Sequence, residues 1–278
     1  MRFVKAHGLG NSFLLVDRAV APADRAAWAR RLCDVDTGVG ADGVVVYDAA
    51  PSAATFRLLN ADGSDAEMSG NGLRCLAALL VERGLRPERH RIETVVGPRG
   101  VAVERLGGAR YRVEADLGSP VLASPAIPVA LEPAWDTVVD HPLSVAGRWL
   151  RVTATSLGNP HCAVFMDQPP DDALLASLGP ALERHPFFPQ RTNVEFVNVL
   201  ASDALQVRMW ERGVGPTRSS GTGAASAVVA AVLTGRAGRR VRVACDGGDL
   251  DVEWPAGGSV RQAGEVELLV DGDWITKA

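Results

Sequence analysis

Short runs in which β-branched, aromatic and aliphatic residues mix with polar ones recur along most of this chain, separated by Gly, Asp and Pro. That pattern predicts strands. In the first half they are Phe13–Asp17, Gly43–Asp48, Thr55–Asn60, His90–Val96, Gly100–Leu106 and Arg110–Asp116. In the second half they are Trp149–Thr155, His161–Asp167, Asn193–Leu200, Ala204–Glu211, Arg239–Asp246, Leu250–Trp254 and Gly264–Val270. Helical spacing is rarer. Pro22–Cys33 carries it behind a Pro-Ala-Asp start, and Asp171–His185 carries it with an expected interruption at Gly179-Pro180. Leu73–Arg83 and Ala224–Thr234 differ from these two. Both are apolar nearly all round and stop at a glycine, Gly84 or Gly235. A helix without a polar face is buried on every side, so each is expected inside a small barrel-like sheet, which makes the fold α+β.

The same two helices reveal an internal repeat. Ser69-Gly70-Asn71-Gly72 precedes the first and Ser220-Gly221-Thr222-Gly223 the second, 151 residues later. At that offset Arg57 matches Arg208 and Asn60 matches Glu211, near the ends of the preceding strands; Gly10-Asn11 matches Gly158-Asn159 at 148. Similar elements in similar order mark a duplicated unit. The Pro-rich stretch Gly118–Pro133 is the expected crossover. With the last strand returning to the first half, the expected domains are 1–117 plus 266–278, and 118–265; the repeat by itself does not require that return.

A chain of 278 residues, 47% hydrophobic and 22% charged, is long enough for such a pair of cores. The net charge of −4 lacks the basic excess of a nucleic-acid partner. Lys5 and Lys277 are the only lysines beside many arginines, which reflects base composition rather than function. Cys33, Cys75, Cys162 and Cys245 have no metal-ligand spacing and read as reduced thiols, so neither metal nor disulfide is expected. No apolar run suits a leader or a membrane span; a cytoplasmic protein without a membrane partner is expected.

Each Ser-Gly-x-Gly stands where a strand gives way to a helix. The first amides of a helix lack intrahelical acceptors and carry partial positive charge, so they suit a carboxylate. Serine is also among the best N-caps, and one motif alone would carry no more than that. Two in register point to a shared clamp for a small carboxylate. Around them His7–Asn11, Asn60–Ser64, Gly158–His161 and Glu211–Gly213 offer amides, hydroxyls and few charges. Singly they also read as turns, a buried histidine or a surface ion pair; together they suit a small zwitterionic ligand, an amino acid or other carboxylate.

HGLGN at His7–Asn11, GVGADG at Gly38–Gly43, NADGSDAEMSGNGLRC at Asn60–Cys75, GNPH at Gly158–His161, NVEF at Asn193–Phe196 and WERGVGPTRSSGTGA at Trp210–Ala224 closely resemble the diaminopimelate epimerase family, in order and across essentially the whole chain. The resemblance implies two pseudo-symmetric domains, each a barrel-like sheet around a central helix, with the active site in the cleft between them. It implies a cofactor-independent isomerase of lysine biosynthesis, a homodimer, acting at the α-carbon of diaminopimelate. It further implies substrate contacts at Asn11, Asn60, Gly70, Asn71, Asn159, Asn193, Glu211, Arg212, Gly221 and Thr222. His161 and Glu211 match residues that assist a catalytic pair, and the pair itself falls on Ser69 and Ser220, where the family carries cysteines.

Those serines change the chemistry. A helix N-terminus brings a thiol pKa from about 8.5 down to roughly 3.5–7.5, whereas a serine hydroxyl needs a neighbouring base to act. Two-thiol epimerisation is therefore not expected at a useful rate. Ser12, where the family usually has Asp, and Val35, where arginine is common, depart from the pattern outside the pair. They favour a naturally divergent member over a deliberately altered one. The alternatives to an epimerase are an isomerase, dehydratase or cyclase using Glu211 or His161, and a non-catalytic carboxylate binder.

Overall fold

The computed structural model describes residues 1–50 and 53–275; the expected end of the first domain, 276–278, lies outside them. The chain divides into one compact unit of Met1–Asp116 with Ala263 onward and a second of Leu117–Gln262. In the first, β1 (Arg2–Gly8) and β2 (Asn11–Asp17) form a hairpin, α1 (Arg25–Cys33) crosses over, and β3 (Gly43–Asp48) joins β2 in parallel. Then come β4 (Ala54–Asn60), the two-residue β5 (Asp65–Ala66), α2 (Gly70–Glu82), β6 (Arg89–Thr94), β7 (Gly97–Gly107) and β8 (Arg110–Gly118). β4 is antiparallel to β3 and parallel to β6, and β6, β7 and β8 form a meander.

The second unit repeats this plan. β9 (Val138–Val145) and β10 (Arg148–Ser156) pair antiparallel, and β11 (Pro160–Phe165) follows β10. α3 (Asp172–Glu183) crosses over to β12 (Asn193–Ala201), parallel to β11. β13 (Ala204–Glu211), β14 (Gly215–Thr217), α4 (Gly221–Leu233), β15 (Arg240–Cys245) and β16 (Gly248–Glu253) complete it, with β13 parallel to β15. The final strand β17 (Val260–Asp273) runs back along β1 and β8. It closes the strands of the first unit into an eight-stranded barrel.

The expected α+β architecture with a helix inside each sheet is what the chain adopts. α2 touches β1, β2, β3, β4 and β7, and α4 touches β10 through β13, β15 and β16. Leu73, Leu76 and Leu80 of α2 and Ala224, Ala227, Val228 and Val229 of α4 have no exposed surface. Each such leucine or valine contributes about 1.5–3 kcal/mol of transfer free energy, which holds the helices in place without a polar face. α1 and α3 lie outside the sheets and are the crossovers that a parallel strand pair requires. No helix among the described residues is long and apolar enough to cross a membrane.

Three expectations need correction. Both central helices begin three residues earlier than the apolar pattern suggested, at Gly70 and Gly221, because the serines before them cap the first turn. α3 is not interrupted at Gly179-Pro180: it runs from Asp172 to Glu183 with Pro180 inside it. Leu175, Leu178 and Leu182 are buried on one face and outweigh the one lost helical hydrogen bond. β1, β5, β9 and β14 are absent from the predicted set; β5 and β14 are too short to show a period, and β9 contains Pro142.

Candidate functional site

In the first unit the site is built on the start of α2. Ser69 is extended, with φ −140° and ψ 120°, and its Oγ accepts the Gly72 amide at 3.1 Å. No acidic residue occupies the first turn, so the partial positive charge of the helix end is not cancelled by the helix itself. Asn71 is fully buried, and its Nδ2 donates to Asn11 Oδ1 at 3.1 Å. Asn11 Nδ2 donates in turn to Asp42 Oδ2 at 3.1 Å, an oxygen that also accepts the Ser12 amide at 2.6 Å and the Ser12 hydroxyl at 3.3 Å. Gly8 packs on Asn71: a Cβ there would lie 3.3 Å from the Asn71 Cβ. Gly70 is the buried first residue of the helix.

In the second unit the start of α4 repeats the cap. Ser220 has φ −133° and ψ 126°, its Oγ accepts the Gly223 amide at 3.3 Å, and its own amide donates to Met209 Sδ at 3.0 Å. This first turn also lacks an acid. Gly221 is anchored through its carbonyl, which accepts from Gln262 Nε2 at 2.6 Å. Thr222 Oγ1 accepts from Asn159 Nδ2 at 3.3 Å, and Asn159 Oδ1 faces His161 Nε2 at 2.9 Å. With the Asn159 NH2 given to Thr222, its oxygen accepts from His161, which assigns a proton to Nε2.

The other imidazole nitrogen, Nδ1, lies 2.7 Å from Glu195 Oε1. Both side chains are buried, at 0% and 1% exposure. Burial pushes the Glu195 carboxyl above its ordinary value, against the pull of His161. Among the described residues Glu195 Oε2 has no hydrogen-bond partner, and a Cβ on Gly223 would lie 3.0 Å from Oε1. A buried imidazole–carboxylate couple therefore abuts the first turn of α4.

Glu211 ends β13 and Arg212 opens the turn that leads to β14. The Arg212 amide donates to Asn193 Oδ1 at 2.9 Å, and Asn193 Nδ2 donates to the Pro160 carbonyl at 2.9 Å, so Asn193 ties that turn to β11. Asn60 is engaged in its own turn: its Nδ2 donates to Ser64 Oγ at 3.0 Å and its amide to the Ser64 carbonyl at 2.9 Å. Val35, singled out as a departure, is 82% exposed.

Glu195 and Asp42 were not among the predicted site residues. A glutamate flanked by Val194 and by Phe196-Val197 in a strand is a sequence signal for a buried charge with a partner. Asp42 lies in GVGADG, with nothing in its type or spacing to tie it to Asn11. Two of the cysteines, Cys75 and Cys162, are buried thiols. Burial pushes the Cys75 thiol up to about 12, and Cys162, also buried, is pushed well up by burial and by Glu195. Among the described residues no group of three His, Cys, Asp or Glu is arranged to hold a metal ion.

Two barrel-like units with matching capped helices define a pseudo-symmetric α+β protein of the racemase and epimerase kind. The family model for diaminopimelate epimerase matches residues 3–123 and 153–269. The chain is 45% identical over 282 residues to a diaminopimelate epimerase of Pelotomaculum thermopropionicum, covering 99% of each chain. It is 47% identical, again over 99% of each, to one of Desulforudis audaxviator. Among solved structures, a hydroxyproline epimerase from Agrobacterium vitis shares the fold with a TM-score of 0.73 at 17% identity, over 98% of this chain and 91% of that one. The chain belongs to the diaminopimelate epimerase family.

Proposed function

We propose that this protein binds diaminopimelate or a close amino-acid analogue and retains the family's binding groups, while serines at 69 and 220 deprive it of fast two-thiol proton exchange at the α-carbon. The observation that carries this reading is the geometry of the serines themselves. Each hydroxyl accepts an amide of its own helix, at 3.1 Å for Ser69 and 3.3 Å for Ser220. A hydroxyl so held is a good cap and a poor base, and a helix dipole worth about 0.3–2 kcal/mol does not turn it into an alkoxide. The matched polar positions support an amino-acid ligand: Asn11, Asn71, Asn159, Asn193 and Thr222 are all ordered by hydrogen bonds. In this reading the protein is a cofactor-independent member of the lysine-pathway isomerase family, found as a homodimer in the cytoplasm.

A second reading rests on the His161–Glu195 couple. A buried imidazole and carboxylate that share a proton are an acid/base pair suited to isomerisation or dehydration without a thiol. The two readings separate in heavy water. Calorimetry is expected to detect binding of meso-diaminopimelate, and the S69C/S220C variant is expected to exchange the α-hydrogen about 10²–10⁴-fold faster than the parent, the usual contribution of positioned acid/base groups. Exchange by the parent at the rate of the double-cysteine variant overturns the role given to the serines. Absence of both binding and restored exchange overturns diaminopimelate as the ligand and leaves the second reading.

A further inference from the structure

The function assigned above makes no use of α3, yet that helix ends on a buried carboxylate. Glu183 is 2% exposed. Its Oε1 accepts the Gly213 amide at 3.0 Å, and its Oε2 accepts the Trp210 indole N–H at 2.9 Å. The Arg191 guanidinium is 3.9 Å from Oε1 and half exposed. A buried carboxylate is costly unless it is hydrogen-bonded, and here its oxygens are spent on two groups that flank Glu211-Arg212.

One helical turn earlier, on the same face of α3, stands Gly179. A Cβ there would lie 2.5 Å from Trp210 Cδ2, so the indole lies against bare backbone. Alternation along β13 explains why it does. Leu205, Val207 and Met209 are buried on one side, and the Met209 sulfur meets the Ser220 amide at the start of α4. Trp210 points to the other side, against α3. Glu211 returns to the α4 side by the same alternation.

We propose that Gly179 and Glu183 are positioning residues that fix the Glu211–Arg212 turn for ligand binding; this rests on the reading that these two residues contact the amino acid. Gly179 admits the indole, Glu183 holds its N–H, and the same carboxylate reaches on to Gly213. Asn193 takes the amide of the residue between, Arg212, at 2.9 Å. Three of the four residues from 210 to 213 are thus held by side chains from α3 and β12, and the carbonyl of the fourth, Glu211, accepts the Val214 amide at 3.1 Å. A role confined to packing would be met by an apolar side chain at 183. Glutamine is the informative replacement: it keeps the shape but offers one accepting oxygen to two N–H donors.

Full-length E183A, E183Q and G179A are compared with the parent by amide hydrogen exchange, thermal melting and calorimetry with meso-diaminopimelate. In E183A the Gly213 amide is expected to exchange at least about tenfold faster, while the first-turn amides of α4 are unchanged, and affinity is expected to fall about tenfold. E183Q is expected to fall between, and R191A to match the parent. The proposal is overturned if Gly213 exchange does not change, or if it quickens in E183A and E183Q while affinity stays at the parent's value. If E183A does not fold, E183Q and G179A decide by the same criteria. If the parent binds no diaminopimelate, the assigned ligand falls, and the clamp stands or falls on Gly213 exchange alone.

Discussion

The starts of α2 and α4 have the same backbone and the same cap but are wired to different ends. In each, a serine accepts the amide three residues on, at 3.1 and 3.3 Å. In each, the second residue after the serine bonds to the asparagine of a Gly-Asn turn: Asn71 to Asn11, and Thr222 to Asn159. Beyond the asparagines the two networks part. From Asn11 the bonds lead to Asp42, a partly exposed carboxylate that collects a side-chain amide, a backbone amide and a hydroxyl. From Asn159 they lead to His161 and Glu195, both buried. Duplication has thus preserved the part that shapes a helix end for an anion. Among the described residues the buried imidazole–carboxylate couple is found at the start of α4 alone.

Removing the acidic end of each network is the strongest way to test that contrast. Glu195→Ala strands His161 in the interior without its carboxylate and is expected to destabilise the fold by about 3–5 kcal/mol. Asp42→Asn, which keeps an accepting oxygen at a partly exposed site, is expected to cost about 1 kcal/mol. Urea unfolding of both variants measures the difference, and equal losses would erase the distinction drawn between the two ends.

The caps should behave alike. Ser69→Ala and Ser220→Ala each remove one cap hydrogen bond and are expected to lose about 1 kcal/mol apiece. A loss at Ser220 well above that at Ser69 would mean that Ser220 is coupled to the buried pair next to it.

The smallest effect is a slope with pH. The Glu195 carboxyl is raised in the folded protein, so the native state keeps that proton to higher pH than the unfolded chain does. Stability from this group is then fully present below the unfolded carboxyl's value and is lost as pH rises through the folded one. Glu195→Gln is expected to flatten that decline, which sets in above about pH 4, read from unfolding midpoints at successive pH values. An unchanged slope would remove Glu195 as its source.

Much of this was legible along the chain. Ser69 and Ser220 announced both capped helices, and the all-apolar runs behind them required burial on every side. Asn11, Asn71, Asn159 and Thr222 were singled out individually, and their pairing emerged only from the fold. Glu195 and Glu183 were not read as site residues. Glu195 lies 34 residues from the histidine it meets, and Glu183 lies 30 residues from the amide it accepts. The predicted break at Gly179-Pro180 failed for a related reason. A glycine that looked like a helix breaker is the hollow into which Trp210 packs.

By itself the sequence determined the duplicated plan, the two central helices and their serine caps, because period, capping and burial are set by residues close together in the chain. Which carboxylate meets which imidazole, amide or indole was decided by tertiary structure alone. Parallel pairing sets His161 opposite Asn193, which brings Glu195 within reach of the ring. The crossover of α3 lays Gly179 and Glu183 against the far side of β13. No local pattern encodes contacts made by strands and helices that meet only after the chain has folded.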